Sequence, residues 1–102
     1  MIGEGPLRPA LEAQARALGL GDRFLFAGFV RDVAGALAAF DLSVFPSLWE
    51  GTPLTVFEAM AAGRPIVATD ADGLLDVLQD DRTARIVPRR DAAALAAELV
   101  RL

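Results

Sequence analysis

The sequence contains no cysteine, no histidine and no lysine, and each absence excludes a class of chemistry. Without cysteine and histidine, these residues hold no disulfide, no thiol nucleophile, no Ser-His-Asp triad and no zinc site built from nitrogen and sulfur ligands. Without lysine, they hold no P-loop lysine and no Schiff-base nucleophile. Any proton transfer would therefore depend on carboxylates.

Long apolar runs and an excess of positive charge are also lacking. No stretch is long enough to span a bilayer, and Met1 is not followed by a basic segment and an apolar core typical of a signal peptide. The net charge of −4 argues against a nucleic-acid-binding surface. We therefore expect no transmembrane segment, no nucleic-acid partner and a cytoplasmic location.

The length of 102 residues limits the chain to one domain, and it is short for an α/β enzyme that closes over two substrates. We expect residues 1–102 to form a single, N-terminally truncated domain of a longer protein. Apolar surface exposed at its start and along its last helix would favour self-association.

Apolar, β-favouring segments alternate with segments of helical periodicity along the whole chain. Strands are predicted at residues 24–28, 42–45, 65–69 and 84–87, with the remnant of a fifth at Ile2. Helices are predicted between them, including short ones at 53–62 and 74–80, and a last one begins after Asp91. This alternation predicts an α/β fold: a Rossmann-like parallel sheet of about four to five strands with helices on both faces.

The most informative stretch covers residues 45–64, FPSLWEGTPLTVFEAMAAGR, in which Glu58 is the only ionisable residue between Gly51 and Arg64. Burial of an unpaired carboxylate is costly, so its place among apolar residues requires a reason. Thr52 is a predicted helix N-cap, Pro53 suits the first helical position, and Gly63 suits the stop. Glu50 therefore lies in the loop after a strand, and Glu58 in the second turn of the next helix.

The free N–H groups at the start of that helix would lie between the two carboxylates. Such a helix start suits a phosphate, and ligands of open α/β sheets bind at the carboxyl ends of the strands. Carboxylates accept hydrogen bonds, and the hydroxyls of a sugar or ribose are suitable donors beside a phosphate. In the alternative interpretation, Glu50 only complements the helix dipole and Glu58 is a solvated residue on the outer face.

Several blocks of the chain together resemble one family. The motif E-x(7)-E from Glu50 to Glu58, continued by AMAAGRPIVAT, is similar to the donor-binding domain of retaining glycosyltransferases with two Rossmann-like domains, the glycogen synthase and mannosyltransferase type. The blocks GEGP near the start, LGLGDR, GFVRDV and AFDL resemble the same family in the same order.

The resemblance implies a nucleotide diphosphate sugar as donor substrate, a retaining transfer to an acceptor hydroxyl, and no metal or other cofactor. Glu58 would bind the ribose and Glu50, as the catalytic-site residue, the donor sugar. Four residues at the helix start would hold the sugar and the diphosphate, and two in an earlier loop would lie along the base. These are Gly51, Thr52, Pro53 and Leu54, and then Val30 and Arg31.

The sequence departs from the family pattern at a few positions. Asp72 stands where a glycine is usual, which would repel a pyrophosphate, and Asp81 replaces a glycine in a later turn. The family's basic diphosphate clamp and its acceptor domain would lie before Met1, so we expect the isolated chain to be inactive. Arg89 and Arg90 are expected to be solvated. The rival hypothesis is a non-catalytic doubly wound α/β binding or interaction module.

Overall fold

The computed structural model describes residues 1–51 and 53–102 and divides the chain into two compact units, Met1–Asp32 and Val33–Leu102. Each unit is described by itself.

The first unit consists of helix α1 (Arg8–Ala17), a single 3-10 turn at Gly21–Arg23 and an extended segment at 24–28. Helix α1 stops before Gly19, whose φ of 67° is the left-handed conformation typical of a helix-ending glycine. Arg8 connects α1 to its surroundings: its Nε lies 2.7 Å from a Glu12 carboxylate oxygen, and its Nη2 donates to the Phe26 carbonyl at 3.3 Å.

The strand predicted at 24–28 is not a regular strand. One parallel bridge joins Ile2 to Gly28, supported by the Gly3 amide donating to the Gly28 carbonyl at 2.7 Å and the Ala27 amide donating to the Met1 carbonyl at 2.9 Å. The segment is extended, but within the described residues its pairing with Met1–Ile2 is limited to this one bridge and these two hydrogen bonds. The sheet therefore has fewer strands than predicted.

The second unit contains the sheet. Strands β1 (Ser43–Phe45), β2 (Ile66–Thr69) and β3 (Arg85–Val87) pair in parallel in the order β1-β2-β3, with Val44 opposite Val67 and Ala68 opposite Ile86. All four residues of β2 are buried, as expected for a central parallel strand covered on both faces. The α/β class and the parallel sheet are confirmed, with three regular strands within the described residues.

Helices cover both faces of this sheet. Helices α2 (Val33–Ala39) and α3 (Leu54–Ala61) pack together, and α4 (Ala92–Arg101) packs on β2 and β3. Because side chains alternate along a strand, Ile66 and Ala68 share one face. They belong to the main core cluster, which also contains Leu37, Val56, Ala59, Ala71, Leu74, Leu78 and Ala84.

The helix predicted at residues 74–80 is wrong. Residues 72–77 form successive turns, in which the Leu74 amide donates to the Ala71 carbonyl at 3.1 Å and the Leu78 amide to the Leu74 carbonyl at 2.8 Å. Leu74 and Leu78 are nonetheless almost completely buried. The apolar spacing was correct, but packing of these two leucines fixes a turn-rich segment instead of a helix.

The turn before β3 takes the conformation that glycine would give it. Asp81 has a φ of 61°, and Asp80 and Ala84 form a parallel bridge across the turn. Asparagine and aspartate tolerate this left-handed region better than most residues. The replacement of a glycine by Asp81 therefore does not loosen the turn.

Candidate functional site

The candidate site lies at the carboxyl edge, by which we mean the edge of the sheet where β1, β2 and β3 end, together with the loop residues that follow at 46–51, 70–73 and 88–91 and the first two turns of α3. Glu50 lies in the first of these loops, as predicted, and is half-buried. Its backbone N–H donates to the Asp72 carbonyl at 3.0 Å, and a carboxylate oxygen accepts from the Ser47 hydroxyl at 2.7 Å. Both its backbone and its side chain are thereby held.

Ser47 is itself tied to the neighbouring strand. Its carbonyl accepts from the Thr69 hydroxyl at 2.5 Å, and Thr69 is the last residue of β2. The loop carrying Glu50 is therefore attached to β2 at Ser47 and to the next loop at Glu50. These bonds leave the second oxygen of the Glu50 carboxylate for other acceptor roles.

Gly73 brings the second loop into direct contact with Glu50. Its φ is 88°, and a Cβ placed there would clash with the Glu50 carbonyl oxygen. Only glycine permits both this conformation and this approach. The loop at 70–73 thus packs against the backbone of the first predicted site residue.

Arg89 joins all three loops, which corrects the expectation that it is solvated. Its backbone N–H and its Nε donate to a carboxylate oxygen of Asp70 at 2.8 and 3.1 Å, and its Nη2 donates to the Asp70 carbonyl at 2.9 Å. Its Nη1 donates to the Leu48 carbonyl at 3.4 Å. Arg90 is exposed, as expected.

The electrostatics of this edge follow from the same contacts. The backbone N–H of Arg89, with the guanidinium beside it, holds the pKa of the Asp70 carboxyl below its ordinary value. An oxygen of the Asp72 carboxylate lies 3.7 Å from Arg89 Nη2. The acid that replaces a glycine in this loop is therefore paired in part with a cation, which moderates its repulsion of an anionic ligand.

Helix α3 begins at this edge. The Val56 amide donates to the Pro53 carbonyl at 3.0 Å, and Pro53 is the residue before the first helical residue, Leu54. The amides of Leu54 and Thr55 therefore precede the first helical hydrogen bond and point out of the helix start. The helix begins one residue later and ends one residue earlier than predicted, and Gly63 follows its C-cap with a φ of 69°, as expected for the stop.

Glu58 lies in the second turn of α3 and is half-buried. Within the described part of the chain, its carboxylate has no hydrogen-bond or ion-pair partner. Neighbouring positions Val56 and Ala59 are buried in the core. A half-buried carboxylate without a protein partner is suited to accept hydrogen bonds from a ligand.

Five other predicted site residues are less informative. Val30 and Arg31 lie in the first unit, between the extended segment and α2, with Val30 half-buried and Arg31 exposed. Their contact with a nucleotide base stays a prediction. Thr52, the predicted N-cap and donor-binding residue, lies outside the described residues. Gly51 is exposed, and a Cβ placed there would lie 3.4 Å from the Trp49 ring, while Pro53 is buried.

The sequence reasoning missed Ser47, Asp70 and Arg89 as parts of the site. Ser47 stands three residues before Glu50, a spacing at which a hydroxyl can donate to a carboxylate later in the same turn. Asp70 and Arg89 follow two strands that turn out to be neighbours. To predict the contact between Asp70 and Arg89, the order of the strands in the sheet had to be known.

The comparisons with known proteins agree on one family. A family model described as "Glycosyl transferases group 1" matches residues 1–102. The chain is 36% identical over 97 residues to the 2-deoxystreptamine N-acetyl-D-glucosaminyltransferase of Streptomyces fradiae, covering 93% of this chain and 23% of that enzyme. It is 38% identical over 94 residues to the phosphatidyl-myo-inositol mannosyltransferase of Mycobacterium leprae, covering 89% of this chain and 25% of that enzyme.

A solved structure gives the same result. The HepE protein of Anabaena, crystallised in complex with UDP-glucose, superposes with a TM-score of 0.90 at 27% identity, over 98% of this chain and 29% of that one. The chain thus spans about a quarter of the length of the curated relatives it matches. Among the described residues, no helix is long and apolar enough to cross a membrane.

Proposed function

Because this chain belongs to the group 1 glycosyltransferase family, we propose that it is the nucleotide-sugar-binding half of a retaining transferase that moves a sugar to an acceptor hydroxyl. The observation that carries the proposal is the placement of two carboxylates at the carboxyl edge. Glu50 precedes the free amides of α3, and Glu58 follows them by one turn. An anion at the helix start would lie between two acceptors for hydroxyl groups.

Glu58 binds the ribose hydroxyls in this proposal. Its carboxylate is half-buried and unpartnered among the described residues, so a pair of ribose hydroxyls would satisfy an acceptor that the protein leaves open. A carboxylate without a protein partner gains more free energy from a ligand's hydroxyl groups than one whose hydrogen bonds the protein already makes.

Glu50 binds the donor sugar. Its Ser47 and Asp72 contacts fix its position before any ligand arrives, and pre-organisation of this kind lowers the cost of orienting a substrate. The amides at 51–54 would then face the sugar and the diphosphate, with Pro53 contributing shape and no N–H.

The leaving nucleotide diphosphate needs its developing charge stabilised. The positive end of α3 supplies oriented N–H groups for this purpose, and we propose that no metal is required. Nucleotide binding should accordingly survive the addition of EDTA. Loss of binding with EDTA, restored by Mg²⁺, would contradict this part of the proposal.

Transfer itself needs more than this chain offers. Holding donor and acceptor together in a closed cleft contributes about 7 to 11 kcal/mol of barrier lowering, and one domain cannot enclose both. We propose that an acceptor-binding domain completes the enzyme and that these residues alone bind donor weakly without transferring sugar. The cytoplasmic location expected from the sequence also stays a prediction.

Self-association of the isolated chain is a related proposal. Phe29 is 83% exposed in the first unit, and Val100 is 86% exposed on α4. Exposed apolar groups of this kind favour contact with other chains. Sedimentation velocity over a range of concentrations should show oligomers, and a strict monomer at the highest concentration would contradict the proposal.

The role assignment can be tested by calorimetry or ligand-detected NMR with UDP and UDP-glucose. Dissociation constants of about 0.1 to 10 mM are expected for the unmodified chain. Glu58→Gln should weaken both ligands because both contain the ribose. Glu50→Gln should weaken UDP-glucose alone.

Asp41→Asn is the matched control, because Asp41 is an exposed carboxylate before β1, at the opposite edge of the sheet. It should leave both affinities unchanged. An equal loss of both ligands with Glu50→Gln, or no loss with Glu58→Gln, would overturn the roles. Sugar transfer by the unmodified chain would overturn the claim of inactivity.

A further inference from the structure

Arg89 makes contacts that the proposed function does not yet use. Every guanidinium nitrogen has an oxygen partner: Nε bonds the Asp70 carboxylate, Nη1 the Leu48 carbonyl, and Nη2 the Asp70 carbonyl, with Asp72 beyond it. Its own backbone N–H bonds Asp70 as well. Three of the five N–H donors of the Arg89 guanidinium are thus used to bond the protein's own loops.

The contacts of Arg89 lead to Glu50 from two directions. Leu48 lies two residues before Glu50 in the same loop, so the bond to its carbonyl holds that loop from β3. Asp70 begins the second loop, which ends in the Asp72 carbonyl that accepts the Glu50 N–H. The planar fork of arginine suits this geometry because it bonds several oxygens in fixed directions.

We propose that Arg89 is a positioning residue for the donor sugar: by holding the loops that follow β1 and β2 at fixed positions, it sets the position of Glu50. This inference rests on the proposed function, in which Glu50 binds that sugar. Arg89 acts through the loops and touches neither the nucleotide nor the sugar.

A basic residue near an anion site could act in two ways, either as a charge that attracts the anion or as a group that holds neighbouring loops in place. A residue acting as a charge would attract the diphosphate, so its loss would weaken UDP and UDP-glucose equally, and lysine would replace it. A residue acting through geometry would affect the sugar only, and lysine would not replace it because a single ammonium group cannot bond the same set of oxygens.

The binding experiment uses the full chain with UDP and UDP-glucose as probes. Arg89→Ala and Arg89→Lys should each weaken UDP-glucose by about fivefold, the effect of roughly one lost hydrogen bond, and change UDP by less than about twofold. Arg82→Ala removes the same charge from an exposed residue in the turn before β3 and should change neither affinity. Equal losses for both probes, or recovery with lysine, would overturn the proposal.

A second measurement needs no ligand. The Glu50 amide should exchange its hydrogen about fivefold faster in Arg89→Ala than in the unmodified chain, because its acceptor on Asp72 is no longer held, while the amides of β2 keep their protection. Unchanged Glu50 exchange would overturn the positioning role. If neither probe binds the unmodified chain, the proposed function fails, and the exchange measurement still decides the role of Arg89.

Discussion

The two ends of the sheet use similar residues for different purposes. The amino edge, where β1, β2 and β3 begin, contains Arg85, Ser43 and Gly63, and the carboxyl edge contains Arg89, Ser47 and Gly73. Each edge thus has an arginine, a serine and a glycine. Their partners differ, and the partners determine what each residue does.

The arginines show the difference most clearly. Arg85 bonds the Glu98 carboxylate with two nitrogens, both at 3.2 Å, and forms an ion pair with Asp81. These contacts attach β3 to α4 and to the preceding turn. Arg89 instead attaches the loop that follows β3 to the loops that follow β1 and β2. The first of these two loops carries Glu50, whose second carboxylate oxygen is left for other acceptor roles. Arg85 thus stabilises the fold, whereas we propose that Arg89 positions Glu50.

Among the variants, the alanine substitutions of the two glycines should cause the largest loss in the free energy of unfolding. Gly73→Ala places a Cβ against the Glu50 carbonyl in a left-handed conformation, so backbone strain and overpacking add to a loss of about 2 to 4 kcal/mol in the free energy of unfolding. Gly63→Ala has similar strain but no atom within 4 Å of the new Cβ. It should cost only about 1 to 2 kcal/mol. Urea denaturation measures both, and equal losses would show that the contact with Glu50 is unimportant.

The two arginine variants should differ in whether they lower stability or ligand affinity. Arg85→Ala should lower the Tm more than Arg89→Ala does, because it detaches α4 from β3, and it should leave the affinity for UDP-glucose unchanged. Thermal unfolding followed by circular dichroism, with calorimetric titration of the folded variants, tests both parts. A loss of UDP-glucose affinity in Arg85→Ala would remove the distinction between the edges.

Acid should destabilise the chain through one carboxyl at each edge. The Arg85 side chain lowers the pKa of Glu98, with Arg101 contributing, and the Arg89 backbone N–H and side chain lower the pKa of Asp70. A carboxyl whose pKa is lower when folded stabilises the fold above its unfolded pKa, about 4, and loses that contribution as pH falls through the folded value. The Tm should therefore fall with acidification below about pH 4.

The arginine variants test whether Asp70 and Glu98 account for the fall of Tm at low pH. Arg89→Ala should reduce the Asp70 part by removing the guanidinium, although the backbone N–H at position 89 still bonds Asp70, and Arg85→Ala should remove the larger share of the Glu98 part. Each variant should therefore show a shallower fall of Tm between about pH 4 and pH 2. The carboxyl carbon of Asp70, followed by NMR in Arg89→Ala, should titrate at a higher pH than in the unmodified chain. An unchanged titration would mean that Arg89 does not hold Asp70 in solution.

The serines should give the smallest effect. The Ser43 hydroxyl is buried and has no hydrogen-bond partner among the described residues, so Ser43→Ala removes an unsatisfied group and should leave stability unchanged or raise it by about 1 kcal/mol. Ser47→Ala removes the donor to Glu50 and should weaken UDP-glucose by about fivefold while sparing UDP. Destabilisation by Ser43→Ala would reveal a partner for that hydroxyl.

The sequence was sufficient for the class of fold and for the location of the two acids. Apolar runs with a proline directly before or after them predicted β1, β2 and β3, and a glycine predicted the end of α3, because these signals act locally. Asp91 was correctly predicted as the N-cap of α4: its carboxylate accepts from the Ala94 amide at 2.9 Å.

The failures share a physical cause, because they depend on neighbours that local patterns do not specify. The segment at 24–28 has strand composition, yet a ladder also needs a partner of sufficient length. Residues 74–80 have helical spacing, yet packing fixes them as turns. Arg89 looked solvated because its partners Asp70 and Leu48 are distant in sequence and meet it only when parallel strands end side by side.

The most direct test of the nucleotide-sugar site is a chemical-shift map of the unmodified chain by NMR, titrated with UDP-glucose to about 10 mM. We expect the largest shifts at the carboxyl edge, in the amides of Gly51, Leu54, Glu58 and Gly73. The amides of Arg85 and Ser43 at the amino edge should not move. Shifts concentrated at the amino edge, or no shifts at the highest ligand concentration, would contradict the assignment of the carboxyl edge as the donor site.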